Sequence, residues 1–548
     1  PSPRLFSKVP LGPRASGPLG GGGGRGGAER AGGPRGRGMG ATKLGLDFVH
    51  RGRWEVVVAL GSNEGARAAG LRGAVRALGE AGLVDVARVS ALYESAPMYE
   101  AAQPPFLNAA VRGSTALGPR DLLAGLKALE RAAGRRAGGV RFGPRPLDLD
   151  IIFYGSRRLT LGPAGDPGGS GGGTLEVPHP RWRERPFVLA PLADLVEAPA
   201  GGGGGGGEAG SGGLTERGGE RSVEPFMRAA SLAWERSGGE AGVGGADLRR
   251  VVAVGEGRLE NLTGEPRAMG VLNVTPDSFS DGGRHLDVAA ALAHARRLVG
   301  AGAGIIDVGG QSTRPGAARV GPEEELARVA PVVRALAADS ELRGVLVSVD
   351  TFYASVAQET ARLGAHLIND VSAGRLDPGM FREMAENGLP YVMMHSRGDP
   401  ETMQRDEHTT YADLPREAAE ELGARVASAE AAGVSQWQVL TDPGFGFAKT
   451  HAGNWELLAG LERFRHHLPS AALRHAPMVF GASRKGFLAP AGQGPAPADR
   501  DVASAAAAAL ATTQGANIVR AHDVSMTVSA CRVGWETRQA VAQGAGYR

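Results

Sequence analysis

Apolar positions between residues 53 and 196 change period repeatedly. Runs such as "WEVVVALGS", "NAAVRGSTA" and "LDLDIIFYG" are short and continuous or alternating, as strands are. "GLRGAVRALGEAGL" and "PRDLLAGLKALERAAG" instead repeat apolar residues every three or four positions, as helices do. The mixture predicts an α/β or α+β domain of modest size. A longer rhythm fills residues 266 to 540. Short apolar runs, "AMGVLNV", "GIIDVGG", "VLVSVD", "AHLIND", "PYVMMHS", "QVLTDPG", "MVFGASR" and "NIVRAHD", each precede a helix-like stretch. Eight strand-helix units over about 250 to 275 residues predict a (β/α)8 TIM barrel. In that fold the C-terminal strand ends share one mouth, so the polar residues closing these runs converge in space.

Glycine interrupts the pattern twice. "GPAGDPGGSGGG", 162 to 173, breaks into the first domain, which resumes at "LEVPHPRWRERPFVLAPL", and reads as a loop insertion. "APAGGGGGGGEAGSGG", 198 to 213, is followed by different sequence and reads as a flexible linker. Residues 1 to 50 are rich in arginine, and Glu29 is their one early acid. They read as a disordered tail or, the reading adopted, an organelle transit peptide; an RNA-binding segment would interleave aromatics among its arginines and glycines, and this arginine- and glycine-rich run has none interleaved. The expected division is a transit segment at 1–50, a first domain at 51–197, a linker at 198–222 and a barrel domain at 223–548.

Composition narrows the function classes. The 548 residues carry 61 basic and 58 acidic side chains, so the net charge of +3 does not imply nucleic-acid binding. The single cysteine, Cys531, excludes an internal disulfide and any Cys-based zinc cluster. No apolar run approaches the roughly 20 residues of a membrane helix, so no membrane partner is expected. Lysine occurs only at positions 8, 43, 127, 449 and 485. Where arginine has replaced lysine almost everywhere, a remaining lysine marks a place where a compact ammonium and a planar fork are not interchangeable.

"RFGPRPLDLDIIFYG", 141 to 155, holds the sharpest chemistry in the first domain. If Leu147, Leu149 and Ile151 face the core, alternation sends Asp148 and Asp150 together to the other face, about 6 to 7 Å apart. A wet edge strand is the ordinary explanation of such a pair. Arg141 and Arg145 precede it, however, and the Gly143-Pro144 turn fixes their approach. Hard oxygens for Mg²⁺ beside arginine forks for phosphate are the equipment of metal-assisted phosphoryl transfer.

The motifs "ALGSN", "YESAPMY", "FLNAAV", "RFGPRPLDLDII" and "VPHPRWRERPF" resemble, in order and spacing, hydroxymethyldihydropterin pyrophosphokinase. The resemblance implies a ferredoxin-like α+β fold, two Mg²⁺ ions, and transfer of diphosphate from ATP to a pterin alcohol with release of AMP. It implies Asp148 and Asp150 as metal ligands, with Arg135, Arg145, His179 and Arg185 on the triphosphate and Glu130 in the ATP wall. Ser95, Phe106, Asn108 and Phe187 would form the pterin pocket, the two aromatic faces holding a flat ring. Phe142, Ala96 and Pro180 depart from the family's commonest residues and bear on pocket shape rather than chemistry.

The barrel's strand tips, "MGVLNVTPDSFSDGG", "IIDVGGQSTRPGA", "SVDT", "IND", "DPGFGFAK", "GASRKGF" and "VRAHDV", together resemble dihydropteroate synthase, which joins a dihydropterin diphosphate to p-aminobenzoate with loss of pyrophosphate. The resemblance implies Asp350, Asn369, Asp442 and Lys485 on the pterin. Asn273, Arg520 and His522 would hold the diphosphate, Asn273 also touching one Mg²⁺. Thr313, Arg314, Pro315, Phe447 and Ser483 would shape the p-aminobenzoate site. Lys485, Arg520 and His522 would be the principal catalytic groups. "GFGFAKT" is not a Walker loop, since Ala448 stands where glycine is required before the lysine. "NLT" at 261 and "NVT" at 273 match glycosylation sequons by chance.

The two halves would thus catalyse consecutive steps on small molecules, ATP, hydroxymethyldihydropterin and p-aminobenzoate. The alternatives are that one half is a regulatory or pterin-binding module, or that the barrel serves methyl transfer. The "STRPG" loop and "SRK" tip favour the synthase. Resemblance to bifunctional plant enzymes implies a mitochondrial address, with plastid or cytoplasm as alternatives, and a homo-oligomer formed through the barrel.

Overall fold

The computed structural model describes residues 52–98, 100–135, 143–162, 174–196, 220–239, 243, 247–255, 257–275, 287–312, 319–489 and 496–544. The expected transit segment, most of both glycine-rich stretches, Arg141, Phe142, Thr313, Arg314 and Pro315 lie outside the described residues.

The first domain runs β1 (Trp54–Ser62), α1 (Arg67–Glu80), β2 (Asp85–Val89), β3 (Leu92–Ser95), β4 (Phe106–Thr115), α2 (Pro119–Ala132) and β5 (Asp148–Tyr154). Its sheet is ordered β5-β1-β4, with β2 and β3 side by side along β4 and all these pairings antiparallel. With β2 and β3 counted as one broken strand, this is the ferredoxin-like arrangement. Alternation on β1 sends Val56, Val58 and Leu60 toward Leu71 and Leu78 of α1 and Leu122 and Leu126 of α2. Val57 faces the opposite layer, with Ile152, Phe153 and Tyr93.

Beyond β5 the chain makes a small hairpin, β6 (Leu159–Leu161) with β7 (Leu175–Val177), whose strands flank the first glycine-rich stretch. Then follow α3 (Pro186–Asp194), α4 (Glu224–Arg236), β8 (Leu248–Ala253) and β9 (Leu259–Glu260). The sequence pattern starts the barrel domain at 223, but the structure lays α4 on the first domain and pairs β8 with β3. An amphipathic stripe such as Phe226, Met227, Ala230 and Trp234 states that it needs a core without stating which one. Glu55 decides it: its carboxylate accepts from Ser222 Oγ at 3.0 Å and Val223 N at 2.9 Å, and Arg112 bridges Glu55 to Glu224.

Eight parallel strands then close a barrel: β10 (Arg267–Asn273), β11 (Ala303–Gly309), β12 (Leu346–Asp350), β13 (Leu367–Asp370), β14 (Tyr391–Met394), β15 (Val439–Asp442), β16 (Val479–Phe480) and β17 (Ile518–Ala521). Closure runs through β10 beside β17 and a bridge from Thr441 to Met478. The helices between are α5 (Val288–Gly300), α6 (Pro322–Ala338), α7 (Ala354–Arg362), α8 (Met380–Asn387), α9 (Asp406–Thr409), α10 (Leu414–Ala431), α11 (His451–Ala459), α12 (Leu461–His467), α13 (Ala471–Arg474), α14 (Asp501–Thr513) and, last, α15 (Val524–Ala542). Among the described residues no helix is long and apolar enough to cross a membrane.

The barrel interior is layered. One apolar residue per strand, Met269, Ile305, Leu346, Leu367, Val392, Leu440, Val479 and Ile518, forms a floor that Val252, Val254 and Leu262 plug from below. Two residues further along each strand the layer turns polar: Asp307, Ser348, Asn369, Asp442 and Arg520, with Val271, Met394 and Gly481. The first domain docks beneath this floor. Arg76 donates to Ala385 O at 3.3 Å, Arg250 to His475 O at 3.1 Å, and Trp437 is buried in the first domain's core. These contacts lie before β14, β15 and β16 begin, at the barrel end opposite its mouth.

Candidate active sites

Strand register builds the first site. Gly61 of β1 pairs with Asn108 of β4 on one side and Asp148 of β5 on the other. The residues expected at the pterin and at the metal therefore stand in one row across the sheet, with a side-chain-free position between them. Asn108 donates from Nδ2 to Ser95 Oγ at 2.9 Å and to Tyr93 O at 3.2 Å, and Ser95 pairs with Phe106 in the ladder. Ser95, Phe106 and Asn108 are thus assembled on neighbouring strands. Phe187 opens α3, and the Arg185 guanidinium lies 5.8 Å from its ring centroid.

Asp148 and Asp150 are both partly exposed on one strand face, while Leu149 and Ile151 are buried behind them. Arg135 Nη1 donates to Asp148 at 2.6 Å and Arg145 Nη1 at 3.0 Å. Burial raises the Asp148 pKa, but Arg145, Lys127 and Arg135 outweigh it and hold this carboxyl below its ordinary value. Glu130, on α2, bonds Arg135 and Lys127 at 2.6 Å each and accepts from Leu149 N at 2.7 Å, which ties the helix to β5. His179 follows the cis Val177-Pro178 bond, and its N–H donates to Ile152 O at 3.1 Å. Burial lowers the imidazole pKa, Asp150 pulling the other way. Lys127, 3.7 Å from Asp150 and 3.0 Å from Leu149 O, belongs to the site although the motifs did not nominate it. The scarcity of lysine was the signal that could have found it.

The barrel brings the second set together at its mouth. Arg520 donates from Nε to Asp307 at 2.6 Å and from Nη2 to Asp350 at 2.9 Å, and Asn369 reaches Asp307 at 3.2 Å. Arg520, expected on the diphosphate, is turned inward here, because two carboxylates in this closed layer require a cation between them. Asp307 was not anticipated; it sits mid-strand in "GIIDVGG", where alternation alone could have placed it inside. Burial pushes Asp350 up to about 7, Asp307, Glu325 and Asp370 adding to the shift and Arg520 opposing it. Burial also raises Asp442, against its bond from Gly444 N at 2.7 Å and the charges of Lys485 and Lys449.

Lys485 donates to Phe445 O and lies 4.3 Å from the Phe447 ring centroid. Burial lowers its ammonium pKa to about 7, with Asp442 opposing. The turn that aims it is held at Arg484, whose φ of 59° is costly for a side-chain-bearing residue. A two-point bond to Asp501, at 2.7 Å each, keeps Arg484 outside while Ser483 and Lys485 face the mouth. Ser483 Oγ is 3.0 Å from His522 Nδ1 and accepts from His522 N at 3.1 Å. Gly309 leaves room between Asn273 and Asp350: a Cβ there would lie 3.7 Å from the Asn273 oxygen and 3.6 Å from Asp350 Cβ.

The profile described as 7,8-dihydro-6-hydroxymethylpterin-pyrophosphokinase matches residues 57–197, and that described as pterin binding enzyme matches 269–522. The mitochondrial folate synthesis bifunctional protein of Pisum sativum is 43% identical over 485 residues, 87% of this chain and 88% of its own. The chain belongs to the bifunctional folate-synthesis proteins. The corresponding mitochondrial protein of Arabidopsis thaliana is 43% identical over 481 residues, 87% of this chain and 82% of that one. A crystal structure of an HPPK-DHPS in complex with substrates shares the fold, with TM-score 0.63, 19% identity and coverage of 89% of this chain and 99% of that one.

This folate-synthesis chain is accordingly a bifunctional transferase that combines a pyrophosphokinase with a dihydropteroate synthase. The mixed α/β first domain and the eight-stranded barrel anticipated from the sequence are both present. Use of ATP and Mg²⁺ goes with the family.

Proposed function

We propose that Asp148 and Asp150 anchor two Mg²⁺ ions for diphosphate transfer, and that the barrel cup condenses the resulting pterin diphosphate with p-aminobenzoate. The observation that supports this reading is the row Asn108, Gly61, Asp148, which stands a residue assigned to the pterin pocket beside an open carboxylate pair. The donor set fits the metal: hard carboxylate oxygens, partly exposed, leave most of each coordination shell to phosphate and water. When bound, magnesium neutralises phosphate charge and aligns the oxygens for in-line displacement.

The protein's own groups do the rest. Arg135 and Arg145 exchange Asp148 for phosphate oxygens, with His179 and Arg185 alongside and Glu130 in the ATP wall. Ser95, Phe106, Asn108 and Phe187 orient the pterin so that its hydroxymethyl oxygen meets the β-phosphorus and AMP departs. In the barrel, Asp350, Asn369 and Asp442 accept from the pterin's N–H edge while Lys485 donates to its acceptors. Asn273, Arg520 and His522 bind the diphosphate, Asn273 with one Mg²⁺. Pyrophosphate leaves the methylene carbon as the arylamine nitrogen attacks it; the p-aminobenzoate site is assigned to Phe447 and Ser483 and, from the sequence resemblance, to Thr313, Arg314 and Pro315, which lie outside the described residues.

Two further readings concern the whole protein. Relatives named as mitochondrial support a mitochondrial address for this chain. Val502, Leu510, Val533 and Val541 are exposed on α14 and α15, an apolar face that suits a homo-oligomer formed through the barrel. The test is direct: incubate the full chain with hydroxymethyldihydropterin, ATP, Mg²⁺ and p-aminobenzoate and identify products by mass spectrometry. AMP with dihydropteroate is the expected result. Pterin diphosphate that accumulates would overturn the barrel assignment, and absence of AMP would overturn that of the aspartates.

A further inference from the structure

Lys449 is 97% inaccessible, its exposure being 3%, and nothing in either reaction calls on it directly. Its Nζ donates to Phe447 O at 3.0 Å and contacts His395 Nδ1 at 3.1 Å. As an ammonium Lys449 only donates, burial lowering its pKa to about 7 with Asp442 opposing, so His395 Nδ1 is then the acceptor and the ring proton sits on Nε2, which points at Glu421 at 3.1 Å. Arg397 anchors Glu421 from the far side and also bonds Glu417 at 3.1 Å. Burial, with Lys449 beside it, pushes His395 down to about 4, so the imidazole stays neutral and keeps this orientation across the working range.

The loop so gripped joins β15 to α11. Phe445 O accepts from Lys485, Gly446 O from Gln404 at 3.1 Å, Phe447 O from Lys449, and Ala448 O from the Tyr411 hydroxyl at 2.9 Å. Asn454 Nδ2 serves Lys449 O at 3.5 Å and Thr450 O at 2.8 Å. Successive carbonyls from 445 to 450 are thus each held by a side chain, that of Phe447 by Lys449 from within the loop and the others from outside it. A buried ammonium is an expensive way to fill space, and an apolar side chain would pack there at less cost. Its placement makes sense where the carbonyl it holds fixes the ring of Phe447 and the anchor of Lys485.

We infer that Lys449 is a positioning residue of the synthase site, locked by His395 and Glu421, which sets the loop that presents Phe447 and grips Lys485. This rests on the assignment of Phe447 and Lys485 to the substrate cup. Lys449→Met in the full-length chain keeps the length of the side chain and removes its donors. It raises the KM for p-aminobenzoate about tenfold or more, lowers kcat by less than about threefold, and leaves kinase turnover unchanged. His395→Asn retains an acceptor near the Nδ1 position and holds that KM near the parent value, whereas His395→Leu follows Lys449→Met.

Steady-state kinetics with pterin diphosphate saturating, alongside thermal melting, decide the matter. An unchanged p-aminobenzoate KM in Lys449→Met, or a loss confined to melting temperature, overturns the proposal. If Lys449→Met fails to fold, equal KM values for the two His395 variants overturn it instead. Phe447→Ala separates the layers: a raised KM there with none in Lys449→Met refutes the positioning role alone, and no effect in either removes the loop from the substrate site altogether.

Discussion

The two sites treat the same residue type in opposite ways. Asp148 stands on an open sheet face with Arg135, Arg145 and Lys127 around it, and cations overcome burial to hold its pKa low. Asp350 and Asp442 stand inside a closed barrel layer, where burial wins and both pKa values rise, Asp350 to about 7. A kinase that handles triphosphate needs permanent charge at an accessible edge, and it obtains this from arginines brought in by α2 and the loop before β5. A synthase that reads a neutral heterocycle needs directional acceptors out of water, and it obtains these by placing polar residues one layer above an apolar floor. The domains also meet at the end of the barrel opposite its mouth, so the synthase mouth opens away from the interface.

The sharpest way to break this contrast is to remove one carboxylate from the open site. Asp148→Ala lowers AMP formation by at least about 10³-fold, some 4 kcal/mol of transition-state stabilisation, while synthase turnover on supplied pterin diphosphate is retained. Kinase turnover near that of the parent would refute the metal assignment. Lys485→Ala does the reverse, on the order of 10²-fold, because the cup loses the ammonium that lies beside the Phe447 ring within the field of Asp442. Separate assays of the two half-reactions read both variants, and a matching fall in kinase rate would show that the domains do not act independently.

How much of this was readable beforehand differs between the two sites for a physical reason. The barrel's strand tips end in polar residues, so their convergence could be read from the pattern, while the resemblance to dihydropteroate synthase named Asp350, Asn369, Asp442 and Lys485, which are found in one layer or at its rim. Arg520 was named as well, but its partner was not: pairing with Asp307 over the intervening β10 depends on stagger between β11 and β17, which sequence spacing does not encode. In the kinase domain the Asp148 and Asp150 face followed from alternation alone. The placement of α4 and β8 did not, because an amphipathic helix after a long glycine-rich stretch can reach either core, and Glu55 and Arg112, which hold its start, are distant in sequence. Lys449, rejected as a Walker lysine, became legible only with His395 and Glu421 around it.

Protonation offers a finer separation. On the proposed assignment, synthase kcat/KM for pterin diphosphate requires ionised Asp350 and Asp442 together with charged Lys485. Asp350 and Lys485 both lie near 7, so the profile is a narrow bell centred close to pH 7 that falls about tenfold per unit on either side. A profile flat from pH 5.5 to 8.5 would show that the cup's charges are fixed. The kinase site contributes no matching limb from Asp148, whose pKa lies below the ordinary carboxylate value.

The last expected effect concerns stability rather than rate. Glu325, on the first turn of α6, is fully buried behind Asp350 and bonds Gln311. Burial pushes its pKa from 4.5 to about 7, with Thr351, Gln311 and Arg328 pulling it down. The folded state therefore holds a proton that the unfolded chain has released between those values. That contribution is complete below pH 4.5 and is lost as pH rises through 7, on the order of 3 kcal/mol across the window. Glu325→Gln keeps an acceptor for Gln311 and cannot ionise, so the gain in barrel stability on acidifying from pH 8 to 5 shrinks in the variant. Calorimetry of parent and variant at both values measures it; an identical pH dependence would mean that Glu325 is ionised in the fold, and that the barrel, like the kinase face, pairs its buried acids with cations instead of protons.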